Sequence, residues 1–86
     1  MEQYFKAIVA ITLRNSIVDP QGAVIVKSLH SLKFDVSSIR MGKYLEIRLL
    51  APDMEAAKTT VEEMCDKLLV NSVTEQYRLL SLEREE

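Results

Sequence analysis

Val18-Asp19-Pro20-Gln21-Gly22 is where a long apolar strand turns into a helix, and the rest of the chain is read from it in both directions. Upstream, Phe5, Ala7, Val9, Ile11 and Leu13 alternate with mostly polar residues, the period of a strand with one buried face. Downstream, Ile25, Leu29 and Leu32 recur at helical spacing. Between the two, Asp19 is placed to accept main-chain N–H bonds as an N-cap. Pro20 suits the first helical position, where its fixed φ fits and its missing donor costs nothing. Capping leaves Gln21 and Gly22 unexplained, because glycine in the first turn lowers helix stability by about 1 kcal/mol against alanine. A small residue and an amide at an exposed helix start suit close approach by another chain, so the turn reads as a docking feature.

Composition narrows the function classes. At 86 residues the chain has room for one domain, 1–86, with a core that is sufficient but thin. Two Gly and two Pro leave little material for long loops, so nearly every residue belongs to an element. A net charge of −2 and a pI near 5.4 give no basic footprint for nucleic acid. Nothing approaches the apolar run needed to span a membrane, and the N-terminus lacks a signal-peptide pattern. One cysteine forms no internal disulfide, and together these features predict a cytoplasmic protein.

The remaining elements follow in order. The first strand covers residues 3–14, and the helix runs from about Pro20 to Leu32. Val36 to Met41 reads as a second strand, and Gly42 as a tight turn. Leu45, Ile47 and Leu49 alternate in a third strand. Asp53 caps a second helix, in which Ala57, Val61, Met64, Cys65, Leu68 and Leu69 form the strongest periodic stripe in the chain. Asn71 is suited to end that helix in the left-handed conformation. A fourth strand runs from Val73 to about Leu82, with Tyr77 and Leu79 on one face and Leu80 and Leu82 on the other. Residues 82–86 read as a frayed tail. The order βαββαβ predicts an α+β, ferredoxin-like fold, with two helices on one face of an antiparallel sheet. The other face carries Ile8, Ala10, Tyr44, Leu50, Leu80 and Leu82, too apolar for water. This predicts a homo-oligomer, packed through the sheets or by strand exchange.

Few residues offer chemistry. His30, the only histidine, has no nucleophile or co-ligand in view and reads as a solvated residue favourable to the helix dipole. Cys65 lies on an apolar stripe and reads as core. The acidic residues of the second helix alternate with Lys58 and Lys67, the pattern of a soluble face. Arg40-Met41-Gly42-Lys43 sets two cations around a glycine. It serves equally as a contact for a carboxylate or anion and as a soluble hairpin tip. No metal cluster, phosphate loop or nucleophile–base pair is present in the sequence.

Three blocks together resemble PurS, the small-subunit family of phosphoribosylformylglycinamidine synthase. They are Asp19-Pro20-Gln21-Gly22 after a strand, Arg40-Met41-Gly42-Lys43, and Glu63-Met64-Cys65-Asp66-Lys67-Leu68-Leu69-Val70-Asn71 followed by Val73, Glu75 and Tyr77. Ser72 stands where the family commonly has proline, and Thr74 where it tends to be apolar. The resemblance implies a non-catalytic subunit of an ATP-dependent, glutamine-using amidoligase. Such a subunit joins the glutaminase subunit PurQ to the synthetase subunit PurL and helps ammonia pass between them, in purine biosynthesis. It implies no cofactor on this chain, while the complex uses ATP, Mg and glutamine. The expected oligomer is a homodimer or homotetramer, with neither nucleic acid nor a membrane as a partner. Asp19, Pro20, Gln21, Gly22, Arg40, Gly42, Lys43 and Asn71 are then the expected partner contacts. A reading from another class is a free-standing regulatory domain that binds a small metabolite between subunits, supported by fold analogy alone.

Overall fold

The computed structural model describes residues 1–86. Strand β1 (Gln3–Leu13) is the middle of a three-stranded antiparallel sheet, flanked by β2 (Gly42–Ala51) and β3 (Glu75–Arg84). Phe5, Ala7, Val9 and Ile11 all point to one side and are buried, as the alternation requires. Helix α2 (Met54–Met64) covers that side, and Ala57, Val61 and Cys65 close the core over Leu49 and Ala51. Its start is fixed by Asp53, whose carboxylate accepts from Ala56 N–H at 2.8 Å. The α+β, ferredoxin-like arrangement with two helices and an antiparallel sheet stands, with one strand position unfilled.

That position is 36–41. The segment is extended but pairs with no strand, and Gly42 is the first residue of β2, opposite Thr12, rather than a tight turn. A Cβ on Gly42 would lie 2.6 Å from the Ile11 carbonyl oxygen, so the glycine is there for close approach to β1. The segment instead runs back along helix α1 (Pro20–Ser31). A Cβ on Gly22 would lie only 2.0 Å from the Ile39 carbonyl oxygen, and His30 Nε2 lies 2.7 Å from the Val36 carbonyl oxygen. Helix and return segment thus form an arm, and no residue of α1 joins the buried core. The arm stretches the chain to 56 Å in a body only 13 Å thick. Helix α2 is therefore the only helix that roofs the core.

Three further expectations change. The second helix does not continue as an α-helix, because Cys65–Leu69 forms a π-turn, with Val70 N–H donating to the Cys65 carbonyl at 3.0 Å. The wider turn rotates the apolar stripe, and Leu68 ends 83% exposed. Strand β3 carries a bulge where Val9 pairs with Leu79 and Ile8 with Ser81. Leu80 is the extra residue, so Leu82 comes round to pair with Ala7 and pack on the core side. The expected frayed tail is also paired, since Glu83 lies opposite Lys6 and Arg84 opposite Phe5.

Candidate partner-docking site at the root of the arm

The arm leaves the sheet after Leu13 and returns at Gly42, so its root brings together residues 12–22 and 40–43. Asp19 is the knot. One carboxylate oxygen accepts from Gly22 N–H at 3.1 Å, the N-cap bond expected from the sequence, and the other accepts from Met41 N–H at 2.6 Å. These main-chain donors, Met41 first and then Gly22, hold the Asp19 pKa below the ordinary aspartate value. Pro20 opens the helix as expected. Gly22, read from sequence as room for another chain, is instead filled by this chain's own Ile39 carbonyl. Gln21 stays exposed, with no hydrogen bond from its side chain to the rest of the chain.

Arg40 folds back across the root. Its Nη2 donates to the Leu13 carbonyl and, at 3.1 Å, to the Arg14 carbonyl. Lys43 reaches β3 and pairs with Glu75 at 3.3 Å. The Glu75 carboxylate also accepts from Asn71 N–H at 2.8 Å, and these two donors hold its pKa down, the Asn71 amide more than the lysine. Asn71 does not adopt the left-handed conformation; Lys33, with φ 72°, is the only non-glycine residue that does. Asn71 Oδ1 instead accepts from Val73 N–H at 3.1 Å, a side-chain turn leading into β3. The eight expected contact residues therefore fall into two groups: the Asp19–Gly42 root, and Asn71, joined to it through Glu75 and Lys43.

Sequence reading missed three members of this region. Arg14 donates through Nε and Nη2 to the Ser72 carbonyl at 3.1 and 2.8 Å, and ties the root to the loop before β3. His30 is not merely solvated, because it fastens the far end of the arm. Arg78 stands on the sheet face away from α2, across from Ala10. Arg14 and Arg78 are placed by residues 58 and 68 positions away, and His30 by the return of residues 36–41 along the helix, none of which a linear pattern displays. No group of three or more His, Cys, Asp or Glu gathers to hold a metal, and burial pushes the Cys65 thiol pKa up, away from the reactive thiolate. No helix is long and apolar enough to cross a membrane.

Residues 6–83 match the PurS family, described as phosphoribosylformylglycinamidine (FGAM) synthase. The phosphoribosylformylglycinamidine synthase subunit PurS of Bacillus subtilis is 40% identical over 86% of this chain and 88% of its own length. The subunit of the same name from a Synechocystis strain is 41% identical over 90% of this chain and 78% of its own. Among solved structures, Thermus thermophilus PurS superposes with a TM-score of 0.86 at 34% identity, covering 96% of this chain and 99% of that one. A chain of the PurLQS structure from Thermotoga maritima superposes with a TM-score of 0.81 at 30% identity, covering 95% and 98%. The family match spans residues 6–83, relatives at 40% and 41% identity cover most of both chains, and the fold coincides with the family's solved structures, so this chain belongs to the PurS family of phosphoribosylformylglycinamidine synthase.

Proposed function

We propose that this chain, a single cytoplasmic domain of residues 1–86, is the non-catalytic assembly subunit of the phosphoribosylformylglycinamidine synthase complex. It bridges the glutaminase subunit PurQ and the ATP-dependent synthetase subunit PurL in purine biosynthesis and aids the passage of ammonia between them. ATP, Mg and glutamine are bound by the complex, not by this chain. The observation that carries the reading is the arm. Val24, Leu32 and Phe34 are 64%, 68% and 57% exposed on it, a concentration of apolar surface that a lone domain has no use for. On the sheet, Leu45 and Ile47 of β2 are only half-buried on the core side. A second copy's arm laid there covers both surfaces at once, which gives a homodimer or homotetramer.

Of the proposed partner contacts, Pro20, Gln21 and Lys43 present exposed side chains, while Asp19, Gly22 and Gly42 act through the shape they give the root. Size-exclusion chromatography with light scattering tests the reading, on the chain alone and mixed with PurL and PurQ in the presence of glutamine, ADP and Mg. The expected results are a mass of two or four chains alone, and co-elution of all three proteins in the mixture. A monomer at micromolar concentration removes the arm exchange. No ternary complex under any of these conditions removes the assembly role.

A further inference from the structure

Beside the arm root, where the sheet turns its face away from α2, lies a notch of 460 Å³ walled by Ala10, Thr12, Asn15, Arg40, Gln76, Tyr77 and Arg78. Its charge is one-sided. Two guanidiniums line it and no carboxylate does, although the chain as a whole is net negative. None of the ion pairs in the structure involves Arg40 or Arg78. The carboxylate nearest Arg40 in the root, Asp19, has one oxygen on the Gly22 amide and the other on the Met41 amide. Arg40 is held in place by the Leu13 and Arg14 carbonyls, so a cation tied to the main chain shares the notch with Arg78, whose guanidinium has no partner in the chain.

We propose that this notch receives an aspartate or glutamate side chain of a partner protein in the assembly, a proposal that rests on the assembly reading above. The free guanidinium fork of Arg78 matches a carboxylate through two parallel N–H···O bonds, and Arg40, whose Nη2 is committed to the Leu13 and Arg14 carbonyls, adds a fixed positive charge beside it. The surroundings favour a protein over a free phosphate. Phosphate cradles are built from main-chain N–H groups aimed at the ligand, but the walls here are strands whose N–H groups lie in the plane of the sheet. The floor is apolar at Ala10, and Tyr44, across from it on β2, is 62% exposed on the same face. Tyrosine and arginine around an apolar floor are the residue types that anchor protein–protein contacts.

The test uses Arg78, whose side chain makes no hydrogen bond or ion pair within the chain, so its replacement leaves the fold alone. Binding of PurL and PurQ to wild type, Arg78→Lys, Arg78→Ala and Arg78→Glu is measured by calorimetry at two salt concentrations, with melting temperature and homo-oligomer mass as controls. Arg78→Glu is expected to raise Kd at least tenfold and to flatten its salt dependence, with Arg78→Lys intermediate and both controls unchanged. Unchanged partner binding in Arg78→Glu overturns the proposal while the assembly reading stands. Failure of the wild type to bind either partner defeats that reading instead. Inorganic phosphate titrated into the chain alone is the remaining arm. Saturable heat lost in Arg78→Glu, with partner binding intact, makes the notch a small-anion site and also overturns the proposal.

Discussion

The carboxylate of Asp19 lies 2.6 Å from the main-chain nitrogen of Met41, so one side chain caps the helix going out and holds the segment coming back. The arm is fastened to the sheet at its root and not along its length. The position of residues 20–39 relative to the sheet depends on that bond and on Arg40.

Asp19 gives this fastening a pH dependence. Its folded-state pKa lies below the ordinary aspartate value of about 3.9, which it regains on unfolding. Its contribution is therefore present in full above that ordinary value and is lost as pH falls through the lower, folded one. Protection of the α1 amides, measured against their intrinsic exchange rates at each pH, is expected to fall below pH ~4, before protection in β1 does. In Asp19→Ala the same amides exchange quickly at neutral pH. Equal protection of α1 in the wild type and in Asp19→Ala at pH 7 refutes the fastening.

Gly22→Ala separates helix propensity from close packing. In a free helix the change stabilises by about 1 kcal/mol. Here the new methyl meets the Ile39 carbonyl at 2.0 Å, and overpacking of that kind costs about 1–3 kcal/mol. A net loss is expected, with the Ile39 segment displaced from the helix, read by denaturant unfolding and by exchange at residues 36–41. A more stable Gly22→Ala protein contradicts the close approach.

Lys33 ends α1 with φ at 72°, a conformation that glycine adopts freely. Phe34 N–H donates from there to the Leu29 carbonyl at 3.0 Å, so the turn is built and the residue is held in it. Lys33→Gly is expected to stabilise by about 1 kcal/mol, and Lys33→Val to destabilise. Chemical denaturation of the two variants under identical conditions checks the order.

Val61 and Leu68 share one stripe in the sequence and have opposite fates in the fold. Val61 is fully buried, so Val61→Ala removes two methyl groups from the core and is expected to cost about 2 kcal/mol. Leu68, turned outward by the π-turn, is expected to tolerate Leu68→Ser within about 0.5 kcal/mol. Comparable losses at both positions restore a regular helix through Leu69.

The strand and helix signals that sequence carries well are those in which neighbours along the chain meet the same environment. β1, α2 and the Asp19 and Asp53 caps are of this kind, since period and cap chemistry are local. Leu68, Leu82 and the 36–41 segment each depart from a regular period for a reason set elsewhere. Leu68 follows a π-turn, and Leu82 follows a bulge that only the pairing with Ile8 and Val9 reveals. Residues 36–41 alternate like a strand, yet the glycine at position 22 gives their backbone a helix to lie against. The root was half legible. Asp19, Arg40 and Lys43 were singled out as chemically notable, whereas Arg14 and Arg78 matter only through residues 58 and 68 positions away along the chain.

An arm that is uncovered within its own chain has its stability set by encounter rather than by sequence alone. The sheet and α2 close in a first-order step, because every residue they bury comes from the same molecule. The proposed covering of Val24, Leu32 and Phe34 by a second copy would be a second-order step, with a half-time that lengthens on dilution. Refolding should therefore show one phase indifferent to protein concentration and one whose rate rises in proportion to it, and the melting temperature should rise with concentration.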